Sequence, residues 1–196
     1  MHVGSALFGI RDPGWNCAGL NLHQRKNGTV TITHSEATVH LLCGYNGAGK
    51  TTYAKRLAET HAAIRFSLDE WMLRLYPGLS YDSDGYGTSA DVCKNLIWDV
   101  ALEVLRRGLD VVLDWNQWSR SRRAIWRDKA AKVGHPVVLH FIDVPVDTAI
   151  GRCAQRAAGS NPGSHVLTLG DVRKLALIFE KPTTDEGMPI EIVRTP

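Results

Sequence analysis

The chain has 196 residues, a length that suits one α/β domain with a core large enough to need no disulfides. Its formal net charge of +3 is compatible with anionic ligands but too small to indicate a nucleic-acid-binding surface. No apolar run approaches the roughly 20 residues of a membrane span, and the N-terminus lacks the pattern of a signal peptide. The 4 cysteines are widely spaced and lack zinc-ligand spacing, so we expect free thiols in a soluble, cytoplasmic protein.

The first part of the chain, residues 1–37, differs in pattern from the rest. Glycines and the Asp12-Pro13-Gly14 turn signal interrupt it, and only residues 29–33 alternate like a short strand. We predict an N-terminal arm or edge hairpin over 1–37, followed by a single domain over 38–196.

From Thr38 onward, short apolar runs alternate with amphipathic segments. The predicted strands are 38–43, 63–68, 109–113, 137–142 and 189–193. The predicted helices are 51–62, 70–76, 89–107, 119–133, 148–158 and 169–179. The helix over 89–107 is predicted to be amphipathic, with an apolar face of Val92, Leu96, Val100, Leu102 and Val104. Strands that alternate with helices predict an α/β domain with a parallel sheet covered on both faces.

A glycine-rich turn follows the first of these strands. Residues 44–51 match G-x-x-x-x-G-K-S/T at every fixed position. The glycines let backbone N–H groups turn inward around an anion, and the next helix adds its positive end. Lys50 is predicted to reach the β- and γ-phosphates of ATP, and Thr51 to bind Mg²⁺ through its hydroxyl. The predicted nucleotide-binding residues are Gly44, Asn46, Gly47, Ala48, Gly49, Lys50, Thr51 and Thr52. The alternative is an ordinary strand-to-helix turn that carries Lys-Thr by chance.

Two carboxylates follow the ends of predicted strands, where doubly wound sheets collect their chemistry. Asp69 follows the strand over 63–68, and Asp114 closes the strand over 109–113. Phosphoryl transfer to a hydroxyl needs one group that deprotonates the acceptor and another that holds the metal. We assign to Asp69 the deprotonation of the acceptor hydroxyl. Asp114 is assigned to hold the metal, or to position the substrate beside it. The alternatives are an N-cap for Asp69 and a turn residue for Asp114.

Two arginines, Arg152 and Arg156, lie four residues apart on one face of the helix predicted over 148–158. Cations over the migrating phosphoryl group stabilise the charge that builds on its oxygens. Together with the Gly-rich segment 159–164, this helix is predicted to form a lid. The alternative is a solvated helix face with two ordinary arginines.

Four motifs in order resemble the polynucleotide kinase and zeta-toxin-like branch of P-loop kinases. They are the phosphate loop, the Ser67-Leu-Asp69-Glu-Trp71 segment, Asp114-Trp-Asn116 with Arg123 further on, and Val144-Pro145 followed by Arg152 and Arg156. The resemblance covers about residue 38 to the end. It implies a three-layer α/β/α fold with a five-stranded parallel sheet in the order 2-3-1-4-5. It also implies that Asp69 is the general base, that Asp114, Asn116 and Arg123 face the substrate, and that residues 179–186 lie near the nucleotide base.

The residues and the resemblance together predict an ATP- and Mg²⁺-dependent kinase. The expected acceptor is a hydroxyl of a small polar metabolite, antibiotic or nucleotide-like molecule. One alternative is a 5′-hydroxyl nucleic-acid kinase or nucleotide-sugar kinase; the spacing of Arg74 behind Asp69 departs from polynucleotide kinases and makes nucleic acid the less favoured acceptor. Another alternative is a nucleotide-binding switch or ATPase that transfers nothing to an acceptor.

Overall fold

A computed structural model describes residues 21–24, 30–33, 36–157 and 168–194. The chain divides into two compact units, Met1–Ser35 and Glu36–Pro196. In the first unit, strands β1 (Asn21–Gln24) and β2 (Val30–Thr33) pair antiparallel.

The second unit is built on a five-stranded sheet. Its strands are β3 (Val39–Cys43), β4 (Ile64–Ser67), β5 (Val111–Asp114), β6 (Val137–Ile142) and β7 (Ile190–Val193). Their order across the sheet is β4-β5-β3-β6-β7, and every neighbouring pair is parallel. This arrangement confirms the predicted five-stranded parallel sheet and its order 2-3-1-4-5. All residues of β3 and β5 are buried, as expected for strands covered on both faces.

Helices connect the strands, and three of them begin at a side-chain cap. The helices are α1 (Lys50–Thr60), α2 (Leu68–Leu75), α3 (Tyr86–Leu105), α4 (Arg120–Lys132), α5 (Val146–Ala157) and α6 (Leu169–Leu177). The side chains of Ser67, Ser119 and Thr168 accept hydrogen bonds from the first turns of α2, α4 and α6. None of the described helices is both long enough and apolar enough to cross a lipid bilayer.

Two apolar clusters lie on opposite faces of the sheet, because side chains alternate between the faces along each strand. One joins Leu41 and Leu113 to buried residues of α3 and α4. The other joins Leu42 and Val112 to buried residues of α1 and to Ala149 of α5. Helices therefore cover both faces, which confirms the three-layer α/β/α fold.

The predicted apolar face of α3 is wrong at three of its positions. Val92, Leu96 and Val100 are 56%, 46% and 40% exposed, whereas Leu102 and Val104 are partly buried against the core. The buried face instead consists of Ala90, Cys93, Ile97, Trp98, Ala101 and Leu105. Because α3 carries apolar residues on more than one face, its periodicity alone does not identify the face that packs on the sheet.

Candidate active site

The phosphate loop joins β3 to α1 and has glycine at three positions whose backbone conformation disfavours a side chain. Gly44, Gly47 and Gly49 have φ angles of 148°, 90° and 97°, a region that side chains disfavour. Gly47 also lies against α5, since a Cβ at this position would stand 2.1 Å from the carbonyl oxygen of Ala149. The loop is therefore packed directly on the helix that carries Arg152 and Arg156.

Lys50 begins α1 and turns back over the phosphate loop. Its ammonium donates hydrogen bonds to the carbonyl oxygens of Gly44, at 3.0 Å, and Tyr45, at 2.9 Å. Burial lowers the pKa of Lys50 to about 8, and the negative charges of Asp114 and Asp69 act against that shift. The P-loop lysine and the two predicted carboxylates thus belong to one electrostatic cluster.

Asp114 is buried at the end of β5, where its two carboxylate oxygens have different partners. The hydroxyl of Thr51 donates to Oδ1 at 3.3 Å, and Nη1 of Arg65 donates to Oδ2 at 2.6 Å. Burial raises the pKa of Asp114, while Arg65 and Lys50 act to lower it. Arg65 is not among the site residues predicted from the sequence, in which it appears only as a charged side chain inside a short strand.

The oxygens of Thr51 and Asp114 fit the requirements of Mg²⁺. This ion prefers hard oxygen ligands, keeps several waters and usually shares its shell with nucleotide phosphates. No group of three or more His, Cys, Asp or Glu side chains among the described residues could hold a metal ion on its own. A single hydroxyl beside a single carboxylate is therefore suited to an ion that arrives with a nucleotide.

Asp69 lies in the first turn of α2 and is half-buried. The N-cap of α2 is Ser67, whose hydroxyl accepts a hydrogen bond from the Glu70 amide at 3.4 Å. The alternative reading of Asp69 as the N-cap is therefore wrong. The charge of Asp69 acts on Lys50 and also on Tyr81 and Tyr86, whose rings meet edge to face with centroids 5.1 Å apart. Burial raises the pKa of Tyr86, and the nearby Asp69 carboxylate adds to that shift.

Asn116 connects the loop after β5 to the phosphate loop. Its amide nitrogen donates to the side-chain oxygen of Asn46 at 3.1 Å. Its own side-chain oxygen is buried and has no hydrogen-bond partner within the described part of the chain. Buried polar atoms are usually paired, so this acceptor is available to a donor that enters the site.

Arg123 has a different place from the one predicted. Its side chain is fully buried and makes two 2.6 Å hydrogen bonds to the carboxylate of Glu186. Its Nη1 donates to the carbonyl oxygens of Gln117 and Glu180, both at 3.0 Å. This burial contradicts the predicted substrate contact. Arg123 instead joins α4 to the segment before β7, a role that the sequence analysis missed because Glu186 lies 63 residues away.

The segment before β7 also reaches the phosphate loop. The ring of Phe179 packs on the ring of Tyr45, which lies within that loop, with centroids 4.5 Å apart. The resemblance to P-loop kinases implies that residues 179–186 lie near the nucleotide base. This contact brings the start of that segment beside the predicted nucleotide-binding residues.

The two lid arginines lie on α5, the helix that packs on Gly47. A Cβ at Gly47 would also stand 2.9 Å from the sulfur of Cys153, to which Nη2 of Arg156 donates at 3.2 Å. Arg152 is half-buried. The segment 159–164, predicted to complete the lid, lies outside the described residues.

The profile of a family described as "AAA domain" matches residues 39–169, which is more than half of the chain. No curated protein matches the sequence.

A protein from Chloroflexus aurantiacus, provisionally designated as a kinase, has a similar structure with a TM-score of 0.64 and 16% identity, over 82% of this chain and 89% of its own. A chain of the Pnkp1/Rnl/Hen1 RNA repair complex is similar with a TM-score of 0.59 and 18% identity, over 79% of this chain and 46% of its own. A sugar kinase from Janibacter sp. has a TM-score of 0.56 and 15% identity, over 81% of this chain and 85% of its own. The chain therefore belongs to the AAA domain family and has the fold of P-loop kinases of the polynucleotide kinase and zeta-toxin-like branch.

Proposed function

We propose that the protein is an ATP- and Mg²⁺-dependent phosphotransferase that moves the γ-phosphoryl group to a hydroxyl of a small polar acceptor. The acceptor class includes polar metabolites, antibiotics and nucleotide-like molecules. One arrangement carries the proposal: Asp69 lies two residues after Ser67, which pairs with Asp114 across the sheet, and Asp114 contacts Thr51 of the phosphate loop. A carboxylate beside a phosphate cradle is what a kinase needs on its acceptor side, whereas binding a nucleotide alone does not require it.

On the nucleotide side, the backbone amides of the phosphate loop bind the phosphates of ATP. Lys50 leaves its loop carbonyls and pairs with the β- and γ-phosphates, whose negative charge favours the ammonium form. Thr51 and Asp114 would hold Mg²⁺, which when bound neutralises charge on the phosphate oxygens.

On the acceptor side, Asp69 orients the hydroxyl and takes its proton while the hydroxyl oxygen forms a bond to the γ-phosphorus. The bond between that phosphorus and the β–γ bridging oxygen breaks, and ADP leaves with the electron pair. The side-chain oxygen of Asn116, which has no partner among the residues that the structure describes, can accept a hydrogen bond from a second polar group of the acceptor.

Arg152 and Arg156 are proposed to act on the phosphoryl group in transit. Both lie on the helix that packs on the phosphate loop through Gly47. Guanidinium groups suit this role because their planar donors match the oxygens of a phosphoryl group.

A small-molecule acceptor is favoured over a nucleic-acid end. The low net charge of +3 supplies little attraction for a polyanion. Arg74, the arginine nearest behind Asp69, is exposed on α2. Of the similar structures, one is a sugar kinase and another belongs to an RNA repair complex, so both acceptor classes belong in the test.

The experiment is a screen for phosphorylated product. Purified protein is incubated with Mg²⁺, γ-labelled ATP and separate pools of sugars, aminoglycoside-type alcohols, nucleosides and 5′-hydroxyl oligonucleotides, and the product is identified by mass. We expect label in one of the small-molecule pools. Label in the oligonucleotide pool alone would replace the proposed acceptor class. ATP hydrolysis without labelled product from any pool would favour the switch or ATPase alternative.

A further inference from the structure

We propose that Arg65 is a positioning residue that sets the Mg²⁺ affinity of the nucleotide site. It holds Oδ2 of Asp114 so that Oδ1 faces the hydroxyl of Thr51. The inference rests on the proposed Mg²⁺-nucleotide site, but it requires neither the acceptor nor the transfer step.

The register of two neighbouring strands places Arg65 beside Asp114. Arg65 of β4 pairs with Val112 of β5, and Ser67 pairs with Asp114. Val112 and Asp114 lie two residues apart and share one face of the sheet, which is also the face of Arg65. A long side chain at Arg65 can therefore reach diagonally to Asp114.

The guanidinium of Arg65 joins two carboxylates from different elements. Nη1 donates to Asp114 at the end of β5, and Nη2 donates to Glu70 in the first turn of α2 at 2.5 Å. The side chains of Arg65 and Asp114 are only 15% and 4% exposed, so solvent screens this pair little. The fork of Arg65 thus connects the strand end that would hold the metal to the helix that carries Asp69.

Whether Arg65 strengthens or weakens Mg²⁺ binding depends on which carboxylate oxygen of Asp114 it contacts. A cation near a metal ligand repels the metal. Arg65, however, donates to Oδ2 of Asp114, whereas Oδ1 of Asp114 accepts from the hydroxyl of Thr51. Glu70 supplies a second negative charge that offsets the guanidinium. Positioning should therefore outweigh repulsion. Groups that orient metal ligands typically change metal affinity by about 10–100-fold when they are removed.

The test measures how strongly Mg²⁺ enhances ADP binding. ADP is titrated by calorimetry into the wild type, Arg65→Gln and Arg65→Lys, once with Mg²⁺ and once with EDTA. For Arg65→Gln we expect the enhancement by Mg²⁺ to fall about tenfold or more, with metal-free ADP affinity unchanged. Arg65→Lys should recover only part of it, because an ammonium is a point charge that cannot hold both carboxylates in a fixed fork. Arg107→Gln, an exposed arginine after α3 that pairs with Glu103, is the matched control.

Three outcomes would overturn the proposal. Equal losses with Mg²⁺ and with EDTA would mean that Arg65 contacts phosphate. An unchanged Mg²⁺ enhancement would leave Arg65 a purely structural residue. A larger enhancement would mean that it competes with the metal.

If Arg65→Gln fails to fold, Arg65→Lys and one further variant, Glu70→Gln, decide the case. Arg65→Lys and Glu70→Gln keep a cation beside Asp114, and both must then weaken the Mg²⁺ enhancement; no change in either overturns the proposal. Failure to find an acceptor would count against the kinase function but would leave these binding results unaffected.

Discussion

Gly47 of the phosphate loop and Ala149 of α5 are in such close contact that no side chain fits between them. A Cβ at Gly47 would stand 2.1 Å from the Ala149 carbonyl oxygen, whereas one at Gly49 would meet nothing within 4 Å. Both glycines have positive φ angles, 90° and 97°. Substitutions at Gly47 and Gly49 therefore separate the effect of a steric clash, expected only at Gly47, from that of backbone strain, expected at both.

We expect Gly47→Ala to destabilise the protein more than Gly49→Ala. Gly49→Ala should cost about 1–2 kcal/mol, the usual penalty for a side chain in the left-handed region. Gly47→Ala has the same backbone penalty and must also displace α5 from the loop, so the free energy of unfolding of this variant should fall further. Urea denaturation of both variants measures the difference, and equal losses would contradict the close packing of loop and helix.

Asp69→Asn should keep ATP affinity and lose phosphoryl transfer. General-base assistance typically contributes about 10²–10⁴-fold, and an amide cannot supply it. Because Ser67 rather than Asp69 caps α2, the substitution leaves the cap intact. Single-turnover transfer to the acceptor found in the screen is measured beside a nucleotide titration. Asp91→Asn, which removes an exposed carboxylate from α3, is the control. Transfer within a few-fold of the wild type would exclude Asp69 as the base.

Arg152→Gln and Arg156→Gln should lower the rate of transfer more than the affinity for ATP. Charge on the phosphoryl oxygens develops in the transition state, so a lid arginine stabilises that state more than the bound substrate. We compare kcat with the dissociation constant of ATP measured in the absence of acceptor. If both quantities change by the same factor, the arginines are ordinary binding residues.

The buried pair His40 and His140 predicts an acid-sensitive fold. Nδ1 of His40 lies 2.9 Å from Nε2 of His140, whose Nδ1 lies 2.9 Å from the hydroxyl of Tyr53 and 3.1 Å from Glu191. Burial, with the neighbouring histidines, lowers the pKa of His140 from 6.5 to about 3. Burial also lowers the pKa of His40, although Asp110 opposes that shift.

The sign of the pH effect follows from proton uptake. Between pH 6.5 and about 3 the unfolded chain binds a proton at His140 that the folded protein does not bind. Stability should therefore fall as the pH decreases through this range, by up to about 1.4 kcal/mol per pH unit for each such proton. His140→Gln keeps hydrogen-bonding groups and removes the titration. Denaturation at several pH values should give a shallower slope for the variant, and identical slopes would show that His140 does not contribute.

The sheet and the phosphate loop could be predicted because their signals are local. The fixed positions of residues 44–51 and the alternation of apolar runs are visible without knowledge of any distant contact. The boundary at Ser67 was harder to predict, since an Asp in the first turn and a Ser cap two residues earlier are equally compatible with the pattern. The buried face of α3 depends on which of several apolar stripes meets the sheet.

The missed residues have partners from distant parts of the chain. Arg65 contacts Asp114 through the register of two strands, 49 residues apart in sequence. Arg123 looked like a site residue because it follows a site motif, and its pairing with Glu186 is fixed only when α4 and the segment before β7 come together. Charged side chains are rarely fully buried, so a sequence alone favours an exposed role for such an arginine.

The Arg123–Glu186 ion pair also bears on the order in which a nascent chain matures. On the ribosome, the strands around the phosphate loop emerge before Glu186 does. Arg123 therefore cannot form its ion pair with Glu186 until that later segment has emerged. Removing one member of a buried ion pair from a folded protein typically costs about 3–5 kcal/mol, so a domain that packed around Arg123 before Glu186 had emerged would be destabilised to a similar extent. The edge of β6 that receives β7 is also open during that interval. Co-translational folding of this domain should therefore be completed only after β7 has emerged, when β7 covers the edge of the sheet and Glu186 pairs with Arg123.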